Sequence, residues 1–181
     1  MAKSFWMVIK SPANFQIGRE RNFDTVGLVA QHRRKVQRMT PGDRVLLYIS
    51  QERCFGATAT VTTPMVEDHA PIWKAEGGSD FPYRVGIKTE IVLNRSQYID
   101  AYQIASRMDF TRRWIPELWY LAFQGSLHLI SKYDFSMVEQ EMRKQKHGTR
   151  SHSKPALPRL RSHCKLDQML EESQGQLVHH E

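Results

Sequence analysis

Thr40-Pro41-Gly42-Asp43, running straight into Arg44-Val45-Leu46-Leu47-Tyr48-Ile49, is a turn followed by a strand. Proline presets the φ of a turn, glycine accepts the positive φ that side chains avoid, and aspartate caps nearby backbone. The near-continuous apolar run behind it lacks the polar alternation of a half-exposed strand, so it predicts a strand in a buried sheet. Cys54-Phe55-Gly56-Ala57-Thr58-Ala59-Thr60-Val61 comes next, its small residues alternating as suits a strand inside a tight barrel.

Working outward, Phe5 to Ile9 reads as a short buried strand stopped at Lys10-Ser11-Pro12, because proline removes a ladder donor. From Gly27 to Met39 the apolar residues Leu28, Val29, Val36 and Met39 fall at helix-compatible intervals, which predicts a helix carrying the basic cluster Arg33-Arg34-Lys35-Arg38. Residues 62–82 hold three prolines, the Gly77-Gly78 pair and two large aromatics, Trp73 and Phe81, and predict a long loop. Loops beyond about 12–15 residues are usually functional or disordered, and aromatics argue against disorder. Tyr83 to Leu93 resumes strand alternation, Asp100 to Ala105 reads as a helical turn, and Leu127 to Ile130 as a last strand. A closing helix over Ser131 to Arg143 sets Phe135, Val138 and Met142 on one face.

Charge and length bound what this chain does. Its 181 residues suit one core, with one domain over 1–143 and a basic tail, expected to be disordered, over 144–181. The net charge of +7 divides into +4 for residues 1–143 (19 basic, 15 acidic) and +3 for the tail (7 basic, 4 acidic), which favours a polyanionic partner, nucleic acid first. No run approaches the roughly 18 apolar residues of a membrane span, and the opening residues are too quickly interrupted for a secretory leader. No membrane association and a cytoplasmic location are the expectation. The two cysteines, Cys54 and Cys164, make neither a disulfide framework nor a metal-ligand spacing and read as reduced thiols.

Catalytic constellations are thin. Glu67-Asp68-His69 are consecutive loop residues that point different ways, so no metal site is expected. Cys54 and His128 sit among apolar strand neighbours, where a thiol is more often inert than reactive. No glycine loop that cradles phosphates is present, and neither catalytic residues nor a cofactor is expected. A base-binding slot fares better: it needs a flat apolar cleft with a few polar groups, and a loop aromatic such as Trp73 has less core to join than Trp6 or Tyr48. The basic cluster then serves as a rail for phosphates, or else is a solvated helix face.

Taken together, several segments resemble the EVE domain, a branch of the PUA-like superfamily that also holds the YTH and ASCH domains. The carriers are Phe5-Trp6-Met7-Val8-Ile9-Lys10-Ser11-Pro12 with Asn14-Phe15, the segment Gly27 to Met39, and Pro41 to Tyr48 ahead of Gly56-Ala57-Thr58-Ala59. They continue through Trp73, Phe81-Pro82-Tyr83-Arg84-Val85 and Phe123 to Ile130 before Phe135. The resemblance implies an α+β fold, a PUA-like mixed β-barrel with flanking helices. It also implies a nucleic-acid-binding module that recognises a modified nucleobase in an aromatic-lined pocket and performs no chemistry on it.

By the same likeness, Lys10 and Ser11 match a lysine-serine pair that shapes the pocket in YTH relatives, Trp73 matches a cage tryptophan, and Phe81 is the second loop aromatic. YTH domains carry a further cage tryptophan where this chain has Gly27-Leu28-Val29, which leaves Leu28 and Val29 as the wall. Ala30-Gln31-His32 stands where EVE relatives tend to carry an asparagine-rich motif. The alternative is an RNA-processing hydrolase of the ASCH type, which needs an acid/base pair such as Lys10 with Glu67 or Asp68 facing one pocket.

Overall fold

The computed structural model describes residues 3–75 and 78–148. Its strands are β1 (Phe5–Lys10), β2 (Thr25–Leu28), β3 (Arg44–Ile49), β4 (Cys54–Val61), β5 (Val66–Glu67), β6 (Tyr83–Val92), β7 (Ile99–Asp100) and β8 (Leu127–Ile130). Among the described residues they form one mixed, curled sheet in the order β2-β6-β4-β3-β1-β8, with β5 added to β6 and β7 to β4. Among the described residues, β1 and β3 alone pair in parallel, Phe5 opposite Arg44 through Lys10 opposite Ile49; the other pairings are antiparallel. With helices packed on this sheet the fold is α+β, as expected.

The apolar run of β3 is explained by what covers it. Val45, Leu47 and Ile49 join Trp6 and Val8 in a core on one face, while Leu46 and Tyr48 join Met7 and Ile9 in a second core on the other. Successive side chains in a strand point to opposite faces, so a strand buried twice reads as continuously apolar. The turn before β3 is bound into the same structure. Buried Asp43 accepts hydrogen bonds from the backbone N–H of Ser4 (2.9 Å) and Thr40 (3.1 Å) and from the indole N–H of Trp6 (3.0 Å).

Two local expectations are revised. Lys10-Ser11-Pro12 ends a strand but also starts a helix, α1 (Pro12–Glu20): the Ser11 hydroxyl accepts from Asn14 N–H at 3.3 Å, and Pro12 occupies the first turn, where its missing N–H costs nothing. The segment Gly27 to Met39 is not helical throughout. It opens as β2, pairing with β6 from Thr25 opposite Gly86 to Leu28 opposite Tyr83, and becomes helical in a 3-10 turn (Ala30–His32) followed by a one-turn helix, α2 (Arg33–Val36). Val36 and Met39 do enter the core, so their spacing reported burial correctly and element type incorrectly.

On the outer face pack a short helix α3 (Ala101–Ile104), a 3-10 stretch over Pro116–Phe123, and the long helix α4 (Lys132–His147). Ser131 caps α4 by accepting from Asp134 N–H at 3.0 Å, and Phe135, Val138 and Met142 form its buried face as expected. The helix runs four residues past Arg143, and residues 149–181 of the expected tail lie outside the described residues. Cys54, at the start of β4, is buried, with Sγ 2.9 Å from the Glu52 carbonyl; Cys164 lies outside the described residues. No described helix is long and apolar enough to cross a membrane.

Candidate functional site

Gly27 organises the site. It stands in β2 opposite Arg84 of β6, and a Cβ placed on it lies 2.2 Å from Cζ3 and 2.7 Å from Cε3 of Trp73, and 2.9 Å from Cβ of Phe81. Only a residue without a side chain lets the indole approach the strand this closely. The two rings meet edge to face with centroids 6.0 Å apart. Lys10, at the end of β1, donates from Nζ to the Gly27 carbonyl and holds its ammonium 4.2 Å from the Phe81 ring centre and 5.2 Å from that of Trp73. Arg84 sits 5.4 Å from the Trp73 ring and donates to the carbonyls of Ala70 and Phe81.

The long loop is fastened beside this cluster by a residue that the sequence analysis did not assign to the site. The Asn14 amide donates to the Lys74 carbonyl and accepts from the Lys74 N–H, both at 2.8 Å, a two-point clamp next to Trp73. Its sequence signal is the placement one turn into a helix that begins Ser11-Pro12. Ser11 is half-buried and serves as the cap of α1.

The structure therefore gathers Lys10, Trp73 and Phe81 around the β2 backbone, while Ser11 is engaged as the cap of α1, and the gathered groups are covered. Trp73 is 9% exposed, Phe81 and Lys10 4% each. The residual cavity among Lys10, Asn14, Phe15 and Trp73 is about 10 Å³, room for no more than one water. A loop aromatic was expected to stand open to a pocket. The indole is instead covered because Gly27 leaves space for it and the two cations and Phe81 fill its other sides. Leu28 is fully buried in the first core. Val29, half-buried, faces a separate open groove of about 260 Å³ lined with Ala30, Gln31, Ser79, Gly125 and Ser126.

Arg33, Arg34, Lys35 and Arg38 are all exposed on or just after α2. Arg33 lies 5.7 Å from the ring centre of Tyr83, and Lys35 Nζ donates to the Leu127 carbonyl at 3.5 Å, so the basic turn bridges β6 and β8.

The acidic loop residues are engaged elsewhere. Asp68 pairs with Arg84 at 2.5 Å, and His69 stands between Asp80 (3.1 Å) and Glu67 (3.4 Å). The hydrogen bonds to Asp80 and then Glu67 raise the His69 pKa above its ordinary value. Lys10 meets the Gly27 carbonyl and two rings, and His128 Nε2 lies 2.5 Å from the Gln124 carbonyl.

The profile of the EVE domain matches residues 4–125. This chain belongs to the EVE-domain family. Solved structures similar to this EVE protein include a hypothetical protein from Leishmania major, 19% identical with a TM-score of 0.53, covering 80% of this chain and 98% of its own. A protein from Pseudomonas syringae is 11% identical with a TM-score of 0.52, covering 76% and 98%. The Mmi1 YTH domain solved in complex with RNA is 8% identical with a TM-score of 0.58, covering 80% of each chain. At these identities the likeness shows the fold, which is PUA-like as the sequence implied. No curated protein matches the chain.

Proposed function

We propose that this EVE protein binds a nucleic-acid strand and takes one of its bases, in a modified form, into the Trp73–Phe81–Lys10 cluster without altering it chemically. The observation that carries the reading is the convergence of two aromatic rings and a lysine, from β1 and the long loop, on a glycine backbone. Flat apolar faces with a few directed polar groups are what a base requires. Family membership and the likeness to a YTH domain solved with RNA support the same partner. Exposed Arg33, Arg34, Lys35 and Arg38 supply phosphate contacts near the groove at Val29. The engaged carboxylates favour binding over hydrolysis, since Asp68 faces Arg84 and not Lys10.

In the closed form the ammonium of Lys10 occupies the space against the Phe81 ring that a base would take. Entry exchanges ring–cation and ring–ring contacts for ring–base contacts, and an added methyl group gives the ligand apolar surface with which to displace them. The test is a panel of single-stranded oligonucleotides, methylated and unmethylated, measured by anisotropy against the parent and Trp73→Ala, with melting temperatures taken on the same samples. One modified member should bind best, Trp73→Ala should lose about 1–3 kcal/mol on that member, and no strand should be cleaved or lose its base. Equal affinity for every member, or turnover that vanishes in Asp68→Ala, would remove this function.

A further inference from the structure

The groove beside the closed cluster carries features that base binding by itself does not use. Its lining residues are chain neighbours of the slot: Val29 follows Gly27 by two positions, and Ser79 precedes Phe81 by two. The opposite wall is Gly125-Ser126, the turn leading into β8, where Gly125 takes a φ of +88°. Around this junction of α2 and β8 lie His32, Lys35 and His128. Lys35 donates to the Leu127 carbonyl at 3.5 Å, and the His128 ring packs edge-on to Phe110 at 5.2 Å.

Two polar atoms here are buried with no hydrogen-bond partner among the described residues, Nε2 of His32 and the hydroxyl of Ser126. The charged groups acting on His32 are Lys35 and His128, and on His128 it is Lys35, with no carboxylate among them. Ser126 of the groove wall thus adjoins a junction where an ammonium and two imidazoles come together, and a group of donors that leaves two members unpaired is short of one component: an oxyanion acceptor.

We infer that the α2–β8 junction, at the Ser126 wall of this groove, seats a phosphate, the one next to the base held by Trp73 and Phe81, with Lys35, Ser126, His32 and His128 as its donors. The site rests on the proposed strand-binding function and adds to it a fixed position for the backbone, separate from the exposed arginines of α2. Seating the phosphate requires the covered Nε2 of His32 and hydroxyl of Ser126 to be uncovered. Both histidines carry depressed pKa values, His32 through burial and then Lys35 and His128, and His128 through burial and then Lys35 against the Gln124 carbonyl. A bound phosphate opposes each of these effects and raises both values.

Histidine side-chain NMR resolves the question. Titrating the full chain with inorganic phosphate should raise the midpoints of His32 and His128 and leave His69, in its carboxylate setting, unmoved. A five-nucleotide unmodified single strand should do the same at lower concentration. The double variant Lys35→Gln/Ser126→Ala, with its melting temperature checked against the parent, should lose both responses, and its affinity should fall about tenfold alike for every sequence, with a salt slope smaller by about one. The phosphate seat is overturned if neither probe moves His32 or His128. Its assignment to the strand is overturned if inorganic phosphate moves them but the double variant binds oligonucleotides as the parent does. Failure of the base site looks different: the panel shows no preference for a modified member while the histidine responses persist.

Discussion

Replacing Gly27 with alanine tests the packing that defines the site by adding a single methyl group. The backbone of β2 at Gly27 lies outside the positive-φ region, so alanine adopts it without strain. Reduced freedom of the unfolded chain even favours alanine by about 0.4–1 kcal/mol. Against this, the new Cβ falls 2.2 Å from Cζ3 of Trp73 and 2.9 Å from Cβ of Phe81, well inside contact distance. The indole cannot retreat freely, because Phe81, Lys10 and Arg84 surround it. Overpacking of this kind costs about 1–3 kcal/mol. The net expectation is a loss of about 1–2 kcal/mol, or roughly 3–8 °C in Tm for a domain of this size. The Trp73 indole N–H resonance should shift, and affinity for the preferred oligonucleotide should fall at 25 °C, where the variant is still folded. An unchanged Tm together with an unmoved Trp73 resonance would refute the account of Gly27 as the floor of the cluster.

Asp43→Ala should cost about 3 kcal/mol or more in urea unfolding, because two backbone donors and the Trp6 indole lose their buried acceptor; Asp43→Asn, which keeps one oxygen, should recover part of it. His32 and His128 are held below their ordinary pKa in the fold, so the folded state binds fewer protons, and their contribution to stability is intact above about pH 6.5 and is lost as pH falls from there through the depressed values. Unfolding free energies between pH 7.5 and 5 should therefore decline less steeply in His128→Gln than in the parent; exposed His69, with its raised pKa, acts in the opposite direction in both proteins. Arg33→Ala/Arg34→Ala/Arg38→Ala should flatten the dependence of oligonucleotide affinity on salt, by about 0.7 in slope for each phosphate contact removed, and an unchanged slope would place α2 outside the interface.

How far this was legible in the sequence depended on whether a residue's role was local. The strand at Arg44–Ile49, the turn before it and the buried face of α4 follow from periodicity and turn chemistry, and they stand as read. The helix after Ser11-Pro12 was equally local, yet its cap and proline were read only as a stop. Gly27 to Leu28 misled because its apolar spacing fits a helix, while a tertiary partner, β6, draws it into the sheet. The closure of the site could not be read at all from spacing. That Trp73 is covered depends on a glycine 46 positions earlier and on Lys10 and Arg84 arriving from other strands, and nothing in the loop's own composition reports them. Membership in the EVE family was legible because it rests on the order of several segments, not on any one contact.

The placement of β1 sets a condition on how the chain comes to be made. β1 lies between β3, its parallel neighbour, and β8, whose residues Leu127–Ile130 come more than a hundred positions later. During synthesis the β3–β4 hairpin and its pairing with β1 are available early. The other edge of β1, bearing Met7 and Val8 in the middle of two cores, has no covering strand until nearly the whole domain has left the ribosome. An open apolar edge invites pairing with another chain, and long-range pairings form slowly. A nascent chain that pauses before Leu127 is therefore the form of this protein most exposed to aggregation, and chaperone protection is worth most in that interval.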